Sequence, residues 1–139
     1  MNQTDQKEQT IEQSQFKRAK IDKCFFGQKT ALKVQYNEET NAIYLGIGKK
    51  EEDETWTWKT AKMKDTEVAE ILRLLQQKAE SINFFHTFND NETKIWINRK
   101  DQAVFFKIDD LAKGLSPAEQ EVLRIVLEET ILQTSFNRR

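Results

Sequence analysis

One histidine, one cysteine and one proline in 139 residues close off most familiar chemistries before any pattern is read. A lone Cys24 cannot form an internal disulfide, so the expected compartment is reducing, the cytoplasm. No His or Cys within sequence reach activates it, and it reads as an inert thiol. His86 has only Asp90 and Glu92 near it in sequence, which is too little for a metal site. A strand histidine with a local hydrogen bond is the expectation instead. The sequence has no Gly-rich phosphate loop, no cysteine pair for zinc and no nucleophile motif. Its Asp and Glu residues are scattered over turns and helix faces, so neither enzyme activity nor a cofactor is expected. No apolar run approaches the roughly 20 residues of a membrane helix. The N-terminus, MNQTDQKEQTIEQSQ, has neither the apolar core of a secretory signal nor the Arg-rich character of a transit peptide. With only 4 Gly, the chain is no collagen or glycine-rich polymer.

What is present is charge and a regular pattern. Charged residues make up 32 % of the chain and hydrophobic ones 37 %, enough for one domain with one core. The net charge of −1 argues against a nucleic-acid partner, but the distribution is uneven: net −2 over 1–16, +4 over 17–64 and −3 over 65–139. Positive charge therefore gathers on the first strands and on the basic lead-in KRAKIDK (17–23). Residues 1–15 read as a disordered polar tail, leaving 16–136 as the domain.

Alternation places strands at about 30–36, 42–49 and 55–63. A turn at 37–41 and an acidic tip, Glu51-Glu-Asp-Glu54, separate them. That tip reads as a solvated hairpin end and not as a cation site. A helix is predicted from Asp65, as N-cap, with an apolar stripe of Val68, Ile71, Leu72, Leu75, Ala79 and Ile82. Strands then resume at 82–89, 93–100 and 102–109. A last helix opens at Ser116-Pro117-Ala118-Glu119, a capping box with proline at the first helical position. The string is βββα repeated, with nothing to force parallel pairing, so the fold class is α+β: two βββ(β)α units whose antiparallel sheets pack on two helices. Apolar residues of the last helix spread over roughly 260° at about 100° per residue. One sheet cannot cover that arc; the first helix or a partner copy must cover the rest. Val122, Val126, Leu127 and Ile131 are the candidate oligomer interface, in a homodimer or homotetramer.

The candidate binding residues follow from facing. Opposite the apolar positions of the strands lie Lys33, Tyr44, Lys94, Trp96, Phe105 and Lys107, with Trp56, Trp58, Lys59 and Lys62 at the edge of the same region. Flat rings beside ammonium groups suit unpaired bases, each stacked base contributing about 1–3 kcal/mol while lysines hold phosphates. The same rings equally suit a second layer or an oligomer interface.

In their order these segments resemble the plant Whirly family. GQKTAL (27–32), entering a strand, is similar to that family's KGKAAL motif: Lys29, Ala31 and Leu32 match, and Gly27 and Gln28 replace the opening Lys-Gly. Trp58 precedes a helix entered through Thr66-Glu67-Val68. SINFFHTFND (81–90) is similar to the family's Cys-Glu-Phe-Phe-His segment at Phe84, Phe85 and His86. Leu115-Ser-Pro-Ala-Glu119 resembles both the final Whirly helix and the helix of positive-cofactor-type transcriptional coactivators. The resemblance runs from about residue 25 to 134.

It implies a four-plus-four stranded arrangement, oligomers held by helix packing, and single-stranded DNA bound along the sheets with little sequence preference. Lys29 and the strand after it would lie on the DNA path. The extra strands are expected at 16–26 and near residue 110. Gly27 in place of a lysine removes one cation, which implies modest, salt-steep affinity. A bacterial, archaeal or viral relative is the expectation, cytoplasmic, and nucleoid-associated if cellular. Its role would be to bind exposed single strands in replication, repair or transcription. Lys29, Lys33, Lys59 and Lys62 would contact phosphates, and Tyr44, Trp56, Trp58, Trp96 and Phe105 would stack on bases. RNA is the alternative ligand, and a protein-interaction scaffold the alternative role.

Overall fold

A computed structural model describes residues 19–88 and 90–136. The expected polar tail, 1–15, lies outside the described residues. Strands β1 (Ala19–Phe26), β2 (Thr30–Asn37), β3 (Ala42–Lys50) and β4 (Trp56–Met63) form one antiparallel sheet in chain order. Helix α1 (Asp65–Leu75) follows. The second sheet, β5 (Ser81–Phe88), β6 (Asn91–Lys100), β7 (Ala103–Ile108) and β8 (Leu111–Leu115), repeats the order and leads into α2 (Pro117–Phe136). The architecture is the expected α+β one, and the two extra strands occupy the expected places, as β1 and β8.

Residues in the left-handed region close the hairpins. Asn41, Asp90, Asp101 and Asp109 have φ of 51°, 64°, 57° and 52°, a conformation that short Asx side chains tolerate best after glycine. Asn37 Oδ1 also accepts from the N–H groups of Glu39 (2.9 Å) and Thr40 (3.2 Å), which fixes the first of these turns.

Register puts one face of each sheet inward. Leu32, Val34 and Tyr36 stand beside Ile47, Leu45 and Ile43, and Ala61 and Met63 continue the row on β4. Ile95 and Ile97 face Ile108 and Phe106 in the second sheet. All are buried. Between the layers, α1 packs on β5 and β6, α2 packs on both α1 and the two sheets, and β7 and β8 rest directly on β3. Tyr36, fully buried, donates its hydroxyl to Asn41 Oδ1 at 2.8 Å.

The N-cap of α1 lies one residue before the predicted one, so Asp65 is already helical. Lys64 is the N-cap, and Glu67 Oε1 accepts from its N–H at 2.8 Å; a lysine side chain has no acceptor to return the favour. The helix also ends earlier than its stripe predicts. Gln77 turns left-handed (φ 63°), Lys78 N–H bonds Arg73 O at 2.8 Å, and Gln77 N–H bonds Leu74 O at 2.9 Å. This is a Schellman stop without glycine. Ala79 therefore lies beyond the helix and Ile82 belongs to β5. The predicted capping box of α2 is complete: Ser116 N–H donates to Glu119 Oε1 (3.0 Å) and Glu119 N–H to Ser116 Oγ (3.3 Å).

Candidate nucleic-acid interface

The faces turned away from the core carry the predicted rings. On the first sheet, cross-strand partners share a face, so Phe26, Ala31, Gly48 and Trp58 form one row, with Cys24, Lys33, Gly46 and Thr60 beside it. Trp58 lies flat on Gly48: a Cβ there would meet Trp58 Cδ2, Cε2 and Cε3 at 2.8–2.9 Å. Only glycine allows a ring to approach the backbone that closely. Lys33 Nζ stands 4.0 Å from the Trp58 ring centroid. Trp56 stacks on Trp58 with centroids 6.0 Å apart, and Phe26 meets Trp56 edge-on at 5.7 Å. Tyr44 and Lys62 pair across β3 and β4 in the next row of the same face, where Tyr44 is half-buried and Lys62 exposed.

The second sheet is built alike. Trp96 sits opposite Lys107, whose ammonium is 5.4 Å from its ring centroid, and Phe85 sits opposite Lys94 at 5.9 Å. Phe105 covers Gly114, where a Cβ would come within 2.8 Å of the ring. The surroundings of Trp96 and Phe105 form an open cleft of about 520 Å³.

Lys59 does not join this surface. Its register partner is Ile47, so it points to the inner side at the sheet edge, where Nζ bonds Asp110 at 2.6 Å and pairs with Asp109 at 3.7 Å. That bond raises the Lys59 ammonium and holds the Asp110 carboxyl below the usual carboxylate range. It joins the two sheets. Lys29 is exposed in the β1–β2 turn, beside the Phe26 end of the aromatic row; its carbonyl accepts from Lys50 N–H at 2.8 Å.

Two rings escaped prediction, Phe26 and Phe85, which are 64 % and 57 % exposed. Phe26 belongs to a strand whose facing the sequence left open. Phe85 carries a signal that was available, since its alternation with the half-buried Phe84 puts it outward. His86 is not locally bonded: its Nε2 lies 2.7 Å from Glu67 Oε2 on α1. Cys24 is half-buried on the outer face, and burial pushes its thiol pKa up. Among the described residues no cluster of three or more His, Cys, Asp or Glu could hold a metal.

The predicted oligomer interface needs revision. Leu127 is fully buried in the core, while Val126 and Ile131 are partly buried against it. Only Val122 remains exposed, and it shares that exposure with Ile125, Leu132 and Phe136. Together these recur at spacings of three, seven and four along α2, an apolar seam of coiled-coil type interrupted by Glu129.

No family model matches the sequence, and no curated protein does. Among solved structures, that of the plant transcriptional regulator PBF-2, a Whirly-family protein, is similar with a TM-score of 0.63 at 14 % identity, over 83 % of this chain and 90 % of that one. The fold is Whirly-like.

Proposed function

We propose that this protein binds single-stranded DNA with little overall sequence preference, laying bases on the outward rings of its sheets and phosphates against the neighbouring lysines. One observation carries the reading: both sheets turn lysine-covered aromatic rings to solvent, on faces that the core does not need. Rings of this kind stack on any base, and each stacked base contributes about 1–3 kcal/mol. Lys29, Lys33 and Lys62 on the first sheet, with Lys94 and Lys107 on the second, supply the cations; Lys59, engaged with Asp110, is left out. Tyr44, Trp56, Trp58, Trp96 and Phe105 are the stacking groups, joined by Phe26 and Phe85. The role is one of binding and not of catalysis, in replication, repair or transcription. Copies of the chain associate through the α2 seam, giving a homodimer or homotetramer in the cytoplasm.

Titration with oligothymidylate, followed through the emission of the three Trp residues, tests this. Saturable quenching that salt reverses is expected. An unchanged signal with no shift on a native gel rejects the proposal and favours a scaffold whose rings meet another protein. Competition by an oligouridylate at equal or lower concentration assigns the surface to RNA.

A further inference from the structure

We propose that the cleft on the second sheet discriminates among bases and prefers guanine. This rests on the nucleic-acid reading above and adds a specificity to one position of the path.

The two sheets differ in what surrounds their rings. Around Trp58 lie Gly46, Gly48, Ala31, Lys33 and Thr60, which bring no carboxylate to a base edge. The cleft of about 520 Å³ on the second sheet is lined by Trp96, Phe105 and Lys107 together with Glu80, Ser81 and Asn98. The register sets Ser81, Asn98 and Phe105 in one row, with Trp96 and Lys107 paired in the next. Opposite Phe105 on β8 stands Gly114, which the Phe105 ring covers, and opposite Lys107 stands Ala112, so no long side chain of β8 stands between the rings. Glu80 is exposed, and its carbonyl accepts from Arg99 N–H at 2.9 Å, which anchors its backbone beside β6. Its carboxylate has no partner among the described residues. The Arg99 side chain is committed elsewhere, to Leu74 O at 2.7 Å.

A base stacked on Trp96 or Phe105 shares its cleft with a carboxylate and an amide. An ionised carboxylate only accepts hydrogen bonds, and an amide both donates and accepts. Guanine presents two adjacent donors, N1–H and the N2 amine, to one carboxylate, and its O6 to the amide N–H. Thymine offers one donor, and adenine and cytosine each offer an amine beside a ring nitrogen that repels a carboxylate. Guanine is the one base that satisfies the whole set. Lys107 is placed to neutralise the adjoining phosphate, and it limits the repulsion that Glu80 would otherwise exert on the backbone.

The test compares short oligothymidylates carrying a single central dG, dA, dC or deoxyinosine, by fluorescence titration at fixed salt. The dG oligonucleotide is expected to bind about tenfold tighter than the all-thymine one, within the range of a bidentate base contact. Deoxyinosine, which lacks the N2 amine, keeps roughly a threefold advantage. Glu80→Gln brings the dG-to-dT affinity ratio to near one, because the amide cannot accept from both donors. Equal binding of all five oligonucleotides by the unaltered protein overturns the guanine preference and leaves strand binding standing. A preserved ratio in Glu80→Gln overturns it as well. Failure of every oligonucleotide to bind removes the strand-binding proposal itself. Free GMP is expected to compete only at millimolar concentration; competition at micromolar concentration reassigns the cleft to a free nucleotide and overturns the strand-bound reading.

Discussion

Two lysines with similar sequence surroundings have opposite fates, and the difference is a matter of which way a strand turns them. Lys33 stands over the Trp58 ring on the outer face, whereas Lys59 is turned inward and held by Asp110. Lys33→Glu should weaken oligothymidylate binding by roughly tenfold and reduce the slope of log affinity against log salt by about 0.7 per lost phosphate contact. Lys59→Ala should leave both unchanged; titrations at several salt concentrations measure the two together. Cys24 reports on the same surface, since it lies opposite Lys33 across β1 and β2. Burial is the main cause of its raised pKa, with Lys33 opposing it. A raised thiol pKa means less thiolate at a given pH. Alkylation by iodoacetamide at pH 8 should therefore run slower than for a free cysteine, and slower again when an oligonucleotide covers the face. Faster modification on binding would place the strand elsewhere.

At the level of helices and strands, the end of α1 shows how local signals and tertiary contacts divide the work. Arg99 Nη2 donates to Leu74 O at 2.7 Å, and its Nη1 reaches Gln120 Oε1 at 3.4 Å, so one guanidinium ties the end of α1 to the start of α2. A cation at a helix C-terminus also complements the helix dipole. Arg99→Met should lower stability by about 1.5–3 kcal/mol, the range for a hydrogen bond to a charged group, measured by urea unfolding. None of this was legible in the sequence. Gln77 takes the left-handed position usually marked by glycine, so the apolar spacing carried the expected helix on through Ala79 to Ile82. The other elements were legible where alternation was clean, as in β2, β3 and β6, and where a cap was complete, as at Ser116. The strand β1 was visible only through the Whirly resemblance, because Lys23 occupies an inward register position between Ile21 and Phe25. Of the outer-face residues, Lys33, Tyr44, Trp96, Phe105 and Lys107 were legible from facing, whereas Phe26 was not. Alternation along β4 already set Lys59 on the face of Ala61 and Met63, away from Trp58. What it could not reveal was the partner, because Asp109 and Asp110 reach Lys59 from the other sheet, far along the chain.

For the whole molecule, α2 serves two layers at once. Leu123 and Leu127 fill the core, and Val122, Ile125, Leu132 and Phe136 face out. Replacing Ile125 and Leu132 by Asp should yield a folded monomer by light scattering, because neither side chain supports the core. Leu127→Asp should instead unfold the chain, since it buries a charge without a partner. An unaltered mass in the double variant would move the association surface off this helix. The last consequence belongs to the glycine beneath Trp58. A ring pressed against bare backbone has its orientation settled during folding, so under the proposed function a base arriving there would meet a preorganised tile and lose freedom only on its own side. Gly48→Ala removes no group that touches a ligand, yet the added methyl would sit within 2.8–2.9 Å of the indole and tilt it outward. Oligothymidylate affinity should fall several-fold through slower association in stopped-flow mixing, making an empty position in the sequence a determinant of rate.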